Sequence, residues 1–298
     1  MSKREISETS KNIYTRNILR LNDGNEIKNY NFLKKTDNIM NKINHLKPNS
    51  QRTYLISIVS TIKGLKGFEK EFKIYYNKMM ELNKELKVNN EKSESQTENW
   101  ISQDEVKEIF NKYSEKVEPL LKLKKVNEKQ WDDILDFVVL SLYILNQPRR
   151  NKDYQLMKVI KSSKNLSEDY KDFNYYIPSE SKFLFYNYKT QGTYNLQEVN
   201  VNDHLQKILL QFLKLHPLRK DKNFFLLVDY DGEELKQINC ITRILNKIFK
   251  KKIGVSALRG IYLTDKFKKP LEELKETATA MGTSSGTISD TYVKLDVK

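Results

Sequence analysis

GVSALRGIYLTD (254–265) and MGTSSGTISDTYVKLDVK (281–298) end the chain, and the rest of the sequence is read outward from them. Val255 to Phe267 has apolar residues at helical spacing, with Arg259 on that helix. A Met281-Gly282-x-Ser284 turn follows, and Tyr292 lies ten residues after Gly282. A tyrosine hydroxyl is a nucleophile toward a phosphodiester only where guanidinium groups hold and neutralise the phosphate. The chain has 17 tyrosines, and core packing is the ordinary role of any one of them, so the reading depends on what lies upstream.

Upstream, the second half alternates helix with a small β region. Ser102 to Glu105 has the form of a capping box and opens a helix at VKEIF. A long apolar helix runs from about Glu128 to Leu145 and is broken at Pro148. SKFLFYNYKTQGTYNLQEVNV (181–201) reads as a β-hairpin turning at Gln191-Gly192. Helix resumes over 202–215, FFLLV (224–228) is a short buried strand, and two further helices are predicted over 239–252 and 255–267. The fold class is mainly α (α+β), with one small antiparallel sheet.

The first half is helical and basic. Residues 1–27 are polar and read as a flexible lead. Helices are predicted near 31–44, over 49–68 from a cap at Asn49 or Ser50, and over 69–88, giving a small helical domain over 28–90. NNEKSESQTEN (89–99) has no apolar periodicity, which places a linker over 91–99 and a larger domain over 100–298.

Composition narrows the partners. Of 298 residues, 53 are Lys or Arg and 39 are Asp or Glu, a net charge of +14. Such a balance fits a polyanion, nucleic acid first, or a Lys-rich surface kept for solubility. A single cysteine, Cys240, excludes an internal disulfide and fits a reducing compartment. His45, His204 and His216 lack metal-ligand spacing, so no metal and no cofactor are expected. The opening MSKREISETSKN has no apolar signal core and no run reaches membrane-spanning length. A soluble intracellular protein is expected, in host nucleus, cytoplasm or viral factory. KIFKKK (247–252) reads as a solvated helix face or a nuclear signal.

Four motifs in this order, PRRNKDY (148–154), NYKT (187–190), the Leu-Arg of GVSALRGIYLTD and MGTSSGTISDTYVK, resemble those of the tyrosine recombinases, or phage-type integrases. The likeness is nearest to the divergent members found in large DNA viruses, virophages and related mobile elements. It covers residues 100–298, and NSQRTYLISIVSTI is similar to the helix that opens the family's core-binding domain. The resemblance implies a DNA breaking-rejoining catalytic domain behind a helical core-binding domain, closing together on double-stranded DNA as a C-shaped clamp. It implies a tetramer on DNA, and neither a small-molecule substrate nor a membrane.

The resemblance also implies roles. Arg150, with Asp153 as its buttress, and Arg259 would clamp the scissile phosphate, Arg149 being the alternative first arginine. Lys189, beside the hairpin turn, would protonate the leaving 5′-oxygen. Tyr292 would attack and leave a 3′-phosphotyrosine. The family writes His or Lys where this chain has Ser256, and His or Trp where it has Thr283. Ser256 then either donates to the phosphate or caps its helix. Loss of both secondary hydrogen bonds would slow the reaction by roughly ten- to a thousand-fold each. The family's C-terminal docking helix has no counterpart in VKLDVK. A type IB topoisomerase and a DNA-binding protein without catalysis remain the alternatives.

Overall fold

The computed structural model describes residues 6–88, 92–166 and 169–294. The chain divides into two compact units, Met1–Lys92 and Ser93–Lys298.

The first unit contains four helices among its described residues: α1 (Glu8–Leu21), α2 (Thr36–Ile43), α3 (Pro48–Ile62) and α4 (Glu69–Val88). α3 is central, packing on α1 and α4 through Leu55, Ile58, Val59 and Ile62. It starts one residue before the expected cap, because Pro48 already has the φ of a first helical turn. The expected flexible lead is instead helix α1. Ser7 caps it by accepting from the Ser10 N–H at 3.3 Å, and Ile18 and Leu21 are buried. Its third buried residue is polar. Asn17 Nδ2 donates to Ser57 Oγ at 3.0 Å, which is why an apolar stripe was not visible in the sequence. Tyr75 closes this core by donating its hydroxyl to Leu33 O at 2.8 Å.

The second unit begins inside the expected linker. Residues 89–91 lie outside the described part, but Glu94–Asn99 is helix α5, set by a Ser93–Gln96 capping box. The Ser102–Glu105 box then opens α6 (Gln103–Leu121), and Asn127 with Gln130 forms a third box opening α7 (Glu128–Ile144). From Ile134 to Tyr143 most of α7 is buried on every face, including Phe137, Val138, Val139, Leu140 and Leu142 at 0% exposure. A helix apolar all round must be enclosed, and α6, α10 (Asp203–Leu215) and α11 (Cys240–Phe249) enclose it. Lys247 of α11 pairs with Asp136 of α7 at 2.8 Å. Burial pushes the Asp136 carboxyl up, and the lysine opposes that shift. At least this lysine of KIFKKK therefore holds helices together.

After α8 (Asn151–Gln155) come β1 (Lys158–Val159), β2 (Asn174–Ile177), β3 (Lys182–Phe185), α9 (Gln191–Tyr194), β4 (Gln197–Asn200) and, beyond α10, β5 (Phe224–Phe225). The sheet order is β4-β3-β2-β1-β5. It is mixed, not purely antiparallel. β1 and β2 run parallel because residues 160–173 cross over between them. β3 and β4 form the expected antiparallel pair, Phe183 opposite Val199. Their connection is longer than a Gly turn and contains α9. Of FFLLV, Phe224–Phe225 pairs with β1 and Val228 forms an isolated antiparallel bridge with Glu234, while Leu226, Leu227 and Val228 are buried in the core.

α11 ends at Lys250 in the left-handed region, and α12 runs from Val255 to Ala280, through Pro270 and well past the expected end at Phe267. Its first two turns are buried at Val255, Leu258 and Ile261. Residues 263–273 are exposed on every side. Among the described residues no helix is long and apolar enough to cross a membrane.

His216 is completely buried between α10 and β5, against Trp131, Phe212 and Phe224. Its Nδ1 accepts from the Leu218 N–H at 3.2 Å, and Nε2 has no partner. Burial favours the neutral ring and lowers its pKa from 6.5 to about 4. A depressed folded-state value means that the unfolded chain binds the proton first. His216 stabilises the fold fully above pH 6.5, and that contribution is lost as pH falls toward 4. The loss is ~2 kcal/mol between pH 7 and pH 5. Urea midpoints should therefore fall less over this interval for His216→Phe than for the wild type. Parallel pH profiles would remove His216 as the cause.

Candidate active site

The proline break after α7 turns Arg149 and Arg150 toward different surroundings. The Arg149 guanidinium stacks over the Phe185 ring at 3.7 Å, and its Nε donates to Asp153 Oδ2 at 2.9 Å. Its NH1 group also donates to Gln197 Oε1 at 2.9 Å, so Arg149 ties α8 to β3 and β4. Asp153 is 2% exposed, and burial raises its carboxyl pKa against the pull of Arg149. The expected Arg150–Asp153 buttress is thus an Arg149–Asp153 pair. Arg149 lies just before the helix and reaches back over its first turn to Asp153, while the extended backbone of Arg150, the N-cap of α8, sends its side chain elsewhere.

Arg150 faces a cavity of about 600 Å³, together with Arg259 and Ser256. Lys152 and Lys252 also line it, and among the described residues no carboxylate does. The first turn of α12 forms part of the wall through Gly254, Val255 and Ser256. The Ala257 N–H of that turn donates to Gly254 O at 3.0 Å, and the helix dipole makes the helix start favourable to anions. Gly254, not Ser256, occupies the N-cap position, so Ser256 is an exposed hydroxyl at the cavity. Gly260 lies beside Trp100, whose ring would meet an added Cβ at 3.4 Å.

A second cavity of about 210 Å³ adjoins the same arginines, with Arg149, Arg150, Tyr188, Thr190, Tyr194 and Arg259 in its lining. Lys189 is exposed between Tyr188 and Thr190, at the rim of this cavity and not within its lining. The loop that carries it is braced by Tyr188, whose hydroxyl donates to Asn195 O at 2.6 Å.

Thr283 and Tyr292 lie elsewhere. Gly282, at φ +64, stops α12. Its N–H donates to Thr279 O at 3.1 Å and the Thr283 N–H donates to Ala278 O at 2.9 Å, the two bonds of a Schellman cap. Ser284 then caps α13 (Ser285–Thr287) by accepting from the Thr287 N–H at 3.0 Å. The Met-Gly-x-Ser signature is therefore a helix stop followed at once by a helix start. α13 continues into a π-helical turn, Ile288–Tyr292, and Ile288 folds back toward α12, where Ala278 is also buried. Tyr292 is 60% exposed and lines neither cavity.

Of the six expected site residues the fold unites Arg150, Arg259 and Ser256, sets Lys189 at the margin, and holds Thr283 and Tyr292 apart. The sequence reading missed Ser95, Gln96, Asn99 and Trp100, which wall the larger cavity from within the expected linker and its edge. Asn99 is fixed there because its Oδ1 accepts from the Lys252 N–H at 2.8 Å. The Ser93-x-x-Gln96 capping box was the available signal. Comparison with protein-family models, curated proteins and solved structures returns no match.

The two neighbouring arginines should part in a stability measurement. Arg149→Ala leaves the Asp153 carboxyl buried without its cation and should cost about 3–5 kcal/mol. Arg150→Ala should change stability by less than about 0.5 kcal/mol, because its side chain faces solvent-filled space. Equal losses in urea titrations of the two variants would refute this division.

Proposed function

We propose that this chain is a tyrosine recombinase that cleaves and rejoins double-stranded DNA. One observation carries the reading: Arg150 and Arg259, distant in sequence, line one cavity with lysines, a helix start and no carboxylate. Such a site suits a phosphodiester whose non-bridging oxygens gain charge in the transition state. The two guanidinium groups would donate to those oxygens, with Ser256 adding a weaker hydrogen bond. Tyr292 would attack phosphorus, displacing the 5′-oxygen and leaving a 3′-phosphotyrosine. Lys189, on its loop at the cavity rim, would give the departing oxygen its proton. Reversal by a different 5′-hydroxyl would join new partners, for integration, excision or resolution of viral or mobile DNA.

A second reading has one observation of its own. Tyr292 lines neither cavity, as expected of a DNA-binding protein that does not cut. A covalent trap separates the two. On nicked suicide duplexes from the native genome, wild type should form a denaturant-resistant protein–DNA band. Tyr292→Phe should form none while binding DNA within about twofold of wild type. Arg259→Ala should lose the band with a smaller loss of binding. Affinity should also fall steeply with salt, by about 10³-fold or more between 50 and 200 mM if six or more phosphates are neutralised. Intact, salt-sensitive binding with no band in wild type would establish the non-cutting reading.

A further inference from the structure

We infer that the arginine cavity takes a nucleoside phosphate whole, with the phosphate on Arg150 and Arg259 and the base against Trp100. The inference rests on the proposed reading of the two arginines as a phosphate clamp, and it adds a base subsite beside them.

The first observation is size. The cavity measures about 600 Å³, within the range of roughly 300–1,000 Å³ that sites for whole small molecules occupy. At the volume of a water molecule in the liquid, about 30 Å³, it equals roughly 20 waters, and a mononucleotide has about that many heavy atoms. A phosphate group alone would leave most of this space to solvent.

The second observation is the division of the lining. Arg150, Lys152, Lys252 and Arg259 supply positive charge, whereas Trp100, Val255 and Ala257 make an apolar wall. A phosphate gains nothing from an apolar wall. A base does, because every base has a ring face that stacks on an aromatic side chain. Trp100 is half-buried, and an added Cβ at Gly260 would touch the six-membered part of its ring at 3.4 Å. The indole therefore lies beside the residue that follows Arg259, so the two subsites adjoin.

The third observation is that this wall is built in advance. Trp100 follows α5 directly as its C-cap residue. Asn99 uses both ends of its amide to hold that corner. Its Nδ2 donates to Ser95 O at 2.8 Å, and its Oδ1 accepts from the Lys252 N–H at 2.8 Å. The indole is thereby tied to the turn that leads into α12, the helix that carries Arg259. An aromatic already in position loses little freedom when a ligand arrives.

Charge favours a nucleotide within a strand over a free one. Four cations exceed the need of one phosphodiester, and Lys152 and Lys252 remain for the phosphate on the other side of the same nucleotide. In a duplex the base must leave its stack to reach Trp100, and the indole replaces part of the stacking lost.

Short probes on the full-length protein test the subsite, because long DNA binds through many other phosphates. The chain has two tryptophans. Trp131 is 1% exposed and stacks on Phe212, so a change of indole emission on adding ligand reports Trp100. Deoxyadenosine trinucleotide should quench that emission, and the same trinucleotide with its bases removed should not. By calorimetry, removing the bases should weaken binding to the wild type about 5- to 100-fold, the range of one base–aromatic stack. The same removal should cost Trp100→Ala less than about twofold, because the partner of the base is already gone. Arg150→Ala should lose the quenching with its fold intact. Equal losses in wild type and Trp100→Ala, or no measurable binding of the intact trinucleotide at millimolar concentration, would overturn the base subsite. Deoxyadenosine 5′-phosphate distinguishes the source. Trinucleotide binding at least about tenfold tighter than the mononucleotide supports a strand, and equal binding supports a free nucleotide in the same subsite. A covalent band in wild type beside equal base losses would remove the subsite and keep strand transfer. Base-dependent binding without a band would keep the subsite and remove strand transfer.

Discussion

The second unit depends on one helix that cannot face water. α7 is buried around its whole circumference from Ile134 to Tyr143 and apolar there except at Asp136 and Ser141, and Phe137, Val138, Val139, Leu140 and Leu142 reach zero exposure. Burial of that much apolar surface is the dominant favourable term of this unit. It obliges α6, α10 and α11 to pack around one axis, and the chain has to leave that axis abruptly. Pro148 ends the helix's possible continuation, so the two arginines emerge where the core meets the surface. Trp131, at the other end of α7, stacks on Phe212 at 5.0 Å and donates to Val228 O at 3.1 Å, which fixes the helix against the chain after β5. The cavity therefore sits at the end of a rigid element, where distances can be held.

Adjacent identical residues acquire different work from that exit. Arg149 turns inward, where stacking on Phe185 and bonding to Asp153 use its planar, multidentate head. With Asp153 buried, the pair is costly to break but contributes little net stability when intact. Its consequence is positional. Pinning residue 149 to α8 and β4 leaves Arg150 only the cavity side. A sequence motif of arginine followed by an acid three residues on is satisfied on paper by Arg150, yet helical geometry favours the i,i+4 pair at the start of so short a helix.

What the sequence made legible was local. The capping box at Ser102, the proline break, the β-rich pair around residues 182–200 and the arginine on α12 all have causes within a few residues of themselves. What stayed hidden depends on distant partners. α1 buries an asparagine that only Ser57 makes tolerable, and α5 becomes a cavity wall only because Asn99 meets the backbone of Lys252. The parallel pairing of β1 with β2 could not be read from two-residue strands. MGTS was ambiguous in a different way. Its glycine is needed to stop a helix whether or not a phosphate lies nearby, so the motif speaks first for the turn and only second for chemistry.

The separation of tyrosine from arginine is the feature in which fold and function bear most directly on each other. α12 continues past Phe267 because Pro270 interrupts one hydrogen bond and not the two good helix-forming runs around it, and because Gly282 supplies the first effective stop. The added length carries Leu271, which is exposed, and Leu274, which is half-buried, continuing the exposed positions Leu263 and Phe267.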